Sequence, residues 1–249
     1  PIETLKPFFV IIISLILSLD KKNLYLKYLL STIVLIPTII LLLSQPDLGQ
    51  TLLISSVWLS IIFVSGVNLI LFSFSLFLIS FLTFSLIYLV PKFEYIKIRF
   101  MAFLDTSGGN NYQADKASDA ISSGGFFGKG IGEGTLNSRI PEAHTDYIMS
   151  VIAEEFGVII VVGIIILYLI FSYRVIKKIN LIDNQNYKLI LVGCITILLI
   201  QTFIHIGVNI RVLPTTGMTM PFLSYGGSSI VGTSIIIGII LNLTKRKLF

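Results

Sequence analysis

Charge is the scarcest property of this chain. Asp, Glu, Lys and Arg make up 12% of its 249 residues, where a soluble domain carries about 25%. Hydrophobic residues make up 55%, and the mean hydropathy is +0.93. Together these values exclude a water-soluble globular domain. They predict an all-α, polytopic helical membrane protein. Cysteine occurs once, at Cys194, and histidine twice, at His144 and His205. A lone cysteine excludes an intrachain disulfide and argues against a zinc site built on cysteines. Two histidines exclude a histidine-rich metal centre. The chain also lacks an initiating Met, a signal peptide and any detectable internal repeat.

What is present is hydrocarbon in long runs. Stretches long enough to cross a bilayer as helices occur near 7–19, 24–43, 48–66, 69–90, 148–172, 188–209 and 227–244. The first is short unless it begins near Ile2, and only Gly66 and Asn68 separate the third from the fourth. The net charge of +5 sorts by topology, so no nucleic-acid partner is expected. Lys21, Lys22 and Lys27 form one basic group. Arg174, Lys177, Lys178 and Lys188 form a second, and Lys245, Arg246 and Lys247 a third. Strict alternation of seven spans places all three groups on one side, which the positive-inside rule makes the cytoplasm. The C-terminus is then expected in the cytoplasm and Pro1 outside. An outward start directly before a span predicts a fragment or processed chain with an odd number of spans upstream. A complete seven-span protein is the alternative.

The chain reads as one membrane domain, 1–249, with a large outward loop over 91–147. Within that loop, 91–104 mixes bases with aromatics and aliphatics, as expected of a segment lying among headgroups. Residues 112–123 predict a short helix with Ala114, Ala117 and Ile121 on one side. Residues 124–134 are glycine-rich. They follow no strand and open no long helix, so a nucleotide-binding loop fails its context test. Phe126, Phe127 and Ile131 make this stretch a poor solvated linker, so an ordered loop is expected.

Polar groups in an apolar chain mark candidate sites. Asp146 stands at the mouth of the fifth span. Glu154 is predicted about 12 Å deeper on the same helix, with Glu155 beside it. These two read equally as a structural pair or as part of a cavity. Gln201, His205 and Asn209, four apart, share one helical face and are expected to hold the bundle together by hydrogen bonds. Glu3 and Lys6 are one turn apart, and Asp47 begins the third span. Glu3, Lys6, Asp47 and Asp146 all fall at the outer level, which predicts one cavity opening outward. Independent surface anchoring of each is the alternative. Residues 211–229 interrupt the apolar pattern with two prolines and three glycines. Such backbone at membrane depth must be buried in protein or line a cavity.

Three stretches together resemble the SEDS family (shape, elongation, division and sporulation) of peptidoglycan glycosyltransferases. They are Gln45–Gln50 (QPDLGQ), 141–146 (PEAHTD) with Glu154–Gly157 (EEFG), and Pro221–Ser229 (PFLSYGGSS). The opening PIETLK resembles the family's Pro-Ser-Glu-x-x-Lys, with Ile2 where serine is usual. The resemblance covers essentially the whole chain. It implies a ten-span fold of which this chain matches the last seven spans. Residues 124–134 and 207–218 resemble the division branch more than the elongation branch.

The resemblance implies polymerisation of lipid II, with inversion at the anomeric carbon. The acceptor's 4-hydroxyl attacks C1 of the donor sugar, and lipid pyrophosphate leaves. Asp146 matches the family's catalytic aspartate and is the expected base. A helix N-terminus would weaken it as a base, and desolvation would strengthen it. Glu3, Lys6, Asp47, Lys129, Arg139 and His144 are expected to bind substrate, with Lys129, Arg139 and Lys6 as candidates for the pyrophosphate. A divalent cation, Mg or Mn, at Asp146 is a second possible role for that acid. No organic cofactor is implied. The expected partners are a class B penicillin-binding protein transpeptidase and other division proteins. A lipid II flippase or a non-catalytic scaffold is the competing function.

Overall fold

The structure, a computed structural model, describes residues 2–19, 24–89, 93–104, 112–139 and 142–245. Pro1, Lys21, Lys22, Pro91, Pro141, Arg246 and Lys247, each used above, lie outside the described residues. Among those described there is no strand. The helices are, in order, α1 (Ile2–Ser18), α2 (Leu24–Ser44), α3 (Leu48–Val64), α4 (Leu69–Leu89), α5 (Glu94–Leu104) and α6 (Tyr112–Gly124). There follow α7 (Leu136–Arg139), α8 (Ile148–Phe156), α9 (Val158–Ile179), α10 (Gln185–Asn209) and α11 (Gly227–Thr244). Four are long and apolar enough to cross a membrane: Tyr25–Ser44 of α2, α9, α10 and α11. Leu48–Val64 and Leu69–Phe81 are shorter apolar helices. The chain is an all-helical, polytopic membrane protein.

Helix α10 is the axis of the bundle. Its Leu189, Leu191, Cys194 and Ile197 are fully buried, against Val10 and Ile13 of α1 and Leu53, Val57 and Ile61 of α3 in one cluster. Lipid is as apolar as leucine, so burial alone does not drive helices together in a bilayer. Close packing and hydrogen bonds do. The small buried side chains Ser14, Ser55, Thr202, Ser229 and Thr233 serve the close packing. By contrast, α9 buries only Ser172, Val175 and Ile179 and turns Ile159, Ile160, Val162, Ile166 and Leu167 outward.

Local chemistry sets the helix ends. Asp47 caps α3 by accepting from the Gln50 amide at 3.0 Å. Asn184 caps α10 by accepting from the Tyr187 amide at 3.2 Å. Asn68 accepts from the Ile70 amide at 3.0 Å, so the short break after the third span is a defined helix start.

The single span expected over 148–172 is two helices. Gly157, at φ 84° and ψ 167°, separates α8 from α9, a conformation that glycine adopts without strain. Glu154 and Glu155 interrupt the apolar run just before this point, and the run resumes directly after it. The span is therefore α9, and α8 packs on α6 of the outward segment. Glu154 is not deep in a span. Helix α6 forms where expected, but it buries Ala114, Ala117, Ala120 and Gly124 rather than Ile121. The segment expected among headgroups forms α5, which exposes Ile98, Phe100, Met101 and Leu104.

Helices α1 and α11 approach each other closely. A Cβ on Gly232 would lie 2.4 Å from the Glu3 carbonyl oxygen. Gly232→Ala must push the two helices apart and should cost about 1–3 kcal/mol. The check is thermal unfolding in detergent, where a lower Tm is expected and an unchanged Tm would mean that the contact is looser.

Candidate active site

Asn209, the last residue of α10, uses its whole side chain. Its Oδ1 accepts from the Ser150 amide at 3.0 Å and the Ser150 hydroxyl at 2.7 Å. Its Nδ2 donates to the carbonyls of Asp146 at 3.0 Å and His205 at 2.8 Å. One turn earlier, the His205 Nδ1–H donates to the Met218 carbonyl at 2.8 Å. One turn earlier again, Gln201 Nε2 donates to the Thr219 carbonyl at 2.9 Å. The polar face of α10 thus ties down both the start of α8 and the irregular segment after α10. It does so through backbone carbonyls and also through other helices, with Ser150 of α8 bonding Asn209 and Lys6 of α1 bonding Gln201, as the spacing predicts.

These two tied segments form the walls of a cavity of about 380 Å³. Asp146, Glu142, Asp47, Arg99 and residues Thr215 to Met218 are among its lining. Asp146 precedes Tyr147, the N-cap of α8, whose side chain makes no capping bond. Burial pushes the Asp146 carboxyl above its ordinary range, the negative charge of Glu142 adds to this, and a hydrogen bond with Thr145 opposes it. Desolvation therefore decides the balance that the sequence left open, in the direction of a better base. Asp47 is likewise raised by burial, against the pull of the Gln50 amide.

The other expected site residues separate into three groups. Glu3 and Lys6 are not among the cavity lining. Lys6 is fully buried, bonding Glu3 at 2.7 Å and Gln201 Oε1 at 3.0 Å, and Gln50 Nε2 donates to Glu3 at 2.7 Å. Through Gln50 this network stands directly behind Asp47. Lys129 lies elsewhere, on Glu154 at 2.8 Å. His144 and Arg139 are exposed and line no part of the cavity, though the His144 carbonyl accepts from the Tyr225 amide at 3.0 Å.

Arg99 is the residue that sequence reasoning did not nominate. It is the one basic side chain among the cavity's lining residues. The sequence places it in a stretch read as headgroup-facing, and only the docking of α5 brings it to the cavity, where its charge acts on Asp47. Gln113 of α6 reaches the same rim and donates to Glu142 at 3.1 Å. An ion pair between Arg211 and Asp115 ties α6 to the end of α10.

Among the described residues, no three His, Cys, Asp or Glu side chains gather closely enough to hold a metal by themselves. Magnesium needs less, because one or two carboxylates with substrate phosphate oxygens and waters complete its shell. Asp146 and Glu142, close enough to raise the former's proton affinity, fit that smaller requirement.

The sequence profile described as "Cell cycle protein", for FtsW, RodA and SpoVE, matches residues 1–248. The chain belongs to this SEDS family. A relative named "Probable peptidoglycan glycosyltransferase FtsW" from Caulobacter vibrioides is 31% identical over 252 residues, covering 99% of this chain and 63% of that one. The Geobacter metallireducens protein of the same name is 32% identical, covering 92% and 63%. The chain therefore spans somewhat less than two thirds of these relatives. Two solved structures share the fold over the whole chain. One is described as the structural coordination of polymerization and crosslinking by a peptidoglycan synthase complex, at TM-score 0.78 and 27% identity, with 71% of that chain covered. The other is a mutant RodA of Thermus thermophilus, at TM-score 0.67 and 25% identity, with 67% covered.

In this SEDS chain, Glu154 organises the loop beside the site. Its Oε1 accepts from Lys129 Nζ at 2.8 Å and from the Thr135 amide and hydroxyl at 3.0 and 3.1 Å. Its Oε2 accepts from the Leu136 amide at 3.0 Å. Burial alone would raise its pKa, but these donors outweigh it and bring the value down to about 2. A depressed folded pKa means that the ionised group stabilises the fold at neutral pH. That contribution is lost as pH falls from 4.5, the ordinary value, toward about 2. Glu154→Gln should loosen the loop by about 1–3 kcal/mol. Faster hydrogen exchange at the Thr135 and Leu136 amides, with α10 unaffected, is the expected reading. Unchanged exchange would show that the glycine turns hold the loop unaided.

Proposed function

We propose that the full-length protein polymerises lipid II into glycan strands for septal wall synthesis, as an inverting peptidoglycan glycosyltransferase. The observation that carries this reading is a carboxyl of raised proton affinity, Asp146, facing an Arg99-lined cavity at the outer ends of the spans. The seven apolar helices α1–α4 and α9–α11 correspond to the last seven spans of a ten-span fold. The C-terminus is then in the cytoplasm and the cavity outside.

The reaction needs a base for the acceptor hydroxyl and positive charge for the departing pyrophosphate. Asp146 takes the proton from the 4-hydroxyl as that oxygen attacks C1 of the donor. Its buried surroundings hold its pKa nearer to working pH than that of an exposed aspartate. Arg99 presents a fixed, planar set of donors to the pyrophosphate. Lys129 and Lys6 are already held by Glu154 and Glu3, which leaves Arg99 as the basic group best placed for this role. Asp47, Glu3 and Lys6 support the opposite wall. Asp146 and Glu142 would hold a divalent cation together with the pyrophosphate oxygens, and such a cation would neutralise leaving-group charge.

The solved relative described as a peptidoglycan synthase complex supports a class B penicillin-binding protein as partner, with division proteins around it. A flippase would need a polar midplane cavity. Glu154, the acid best placed by sequence to supply one, instead bonds the outward loop.

Asp146→Asn should lower polymerisation by about 10²- to 10⁴-fold. It should leave thermal stability equal or higher, because a carboxylate whose pKa is raised by folding is a destabilising charge at neutral pH. In the same assay Arg99→Ala should raise KM. The assay is purified full-length protein with lipid II in detergent, where no second compartment exists. Wild-type polymer from well-folded Asp146→Asn would favour the transporter or scaffold.

The pH profile gives a separate test. Activity requires ionised Asp146, so it should fall as pH drops through a pKa above the ordinary aspartate range. Removing the neighbouring charge with Glu142→Gln should move that acid limb to lower pH. A limb that stays in place, or moves upward, would assign it to another group.

A further inference from the structure

The glycine-rich loop carries three of the most exposed large hydrophobic side chains in the protein. Phe126 is 73% exposed, Phe127 85% and Ile131 80%. The catalytic reading uses none of them. The loop holding them is nevertheless firmly placed. Its Gly125 carbonyl accepts from the Val158 amide at 3.0 Å, and the Phe126 carbonyl accepts from the Ile159 amide at 3.5 Å. Its Lys129 and Gly130 amides donate to the carbonyls of Glu154 and Glu155 at 2.9 and 3.1 Å. A Cβ on Gly157 would meet the Phe126 carbonyl oxygen at 2.1 Å, so the loop lies directly on the α8–α9 junction.

That junction has a calculable depth. Helix α9 has 22 residues, or about 33 Å at 1.5 Å each, and the hydrocarbon core is about 30 Å thick. Lys177 and Lys178 close its far end, where lysines reach into headgroups. Val158 then lies at the outer edge of the hydrocarbon. The first turns of α9 are themselves lipid-facing, with Ile159 and Ile160 about half exposed. A loop bonded to Val158 and Ile159 can reach only that level.

We propose that Phe126 and Phe127 insert into the outer leaflet at the boundary between acyl chains and headgroups, and that this anchors the outward loop to the membrane. The occupant of the patch is lipid. Burying a phenylalanine side chain is favourable by about 1.5–3 kcal/mol, so two suffice to hold a loop already restrained by hydrogen bonds. The anchor works through Glu154, which fixes the same loop to α8, the helix that follows Asp146. It depends on the membrane topology and not on the polymerase reading.

The test is Phe127→Trp, with Trp58, the one tryptophan of this sequence, and any tryptophan elsewhere in the full-length protein replaced by Phe. The full-length protein is placed in nanodiscs of phosphatidylcholine, with or without bromine near the top of the acyl chains. The expected result is emission quenched at least about twofold by the shallow bromolipid and little by aqueous iodide. Should the tryptophan variant misfold, a nitroxide on Phe127→Cys serves instead, with high oxygen and low nickel-chelate accessibility expected. Quenching by iodide and not by bromolipid overturns the proposal. So does a probe that is aqueous in the isolated protein and shielded only when a transpeptidase partner is added, which would make the patch a protein-docking surface.

Discussion

Everything around Asp146 depends on the four hydrogen bonds of the Asn209 side chain. In a bilayer an unpaired amide has no water to turn to, so a buried polar group must find its partners inside the protein. Asn209 meets that need by joining the end of α10 to the first turn of α8 and to the Asp146 carbonyl. His205 and Gln201 repeat the solution one and two turns below, on the segment from Met218 to Thr219. The polar stripe of one apolar helix therefore fixes both walls of the cavity. An irregular backbone is tolerated there because its carbonyls are answered by α10.

The carboxylates of this chain show how donor count, rather than residue type, sets their behaviour. Glu154 is buried and meets four donors, and it is held ionised to about pH 2. Asp146 is also largely removed from water, but it has a weak hydroxyl partner and an anionic neighbour, and its proton affinity rises. One acid is suited to holding a loop, the other to accepting a proton. Asp47 lies between these cases, with one oxygen capping α3 and the residue lining the cavity. Glu3 is drawn away from the cavity altogether by Lys6 and Gln50.

Much of this was legible in the sequence, because the relevant signals are local or periodic. Six of the seven apolar runs correspond to one helix each, and the fifth to α8 and α9 together. The Gln201–His205–Asn209 spacing identified a shared face, and Phe126 and Phe127 marked a loop unlike a solvated linker. The fragments around Asp47, Asp146 and Pro221 resembled one family in combination. The misreadings came where distant segments meet. Lys129 was a pyrophosphate candidate because it flanks Asp146 in sequence, yet the loop closes over the α8–α9 junction, where Glu154 captures the lysine. Arg99 lay in a stretch read as headgroup-facing because it mixes bases with aromatics and aliphatics, yet docking brings it to the cavity.

By itself, the sequence determined the class of protein and the order of its apolar segments, and it nominated Asp146 at the candidate site. These follow from hydropathy, helical period and a motif, all read along the chain. Only the tertiary structure decided that α8 leaves the span at Gly157, that Asp146 and Arg99 line one cavity, and that Glu154 holds the outward loop. The physical reason is that a carboxylate's role depends on how many donors surround it and how much water is excluded. In this chain those donors come from residues far from it in sequence.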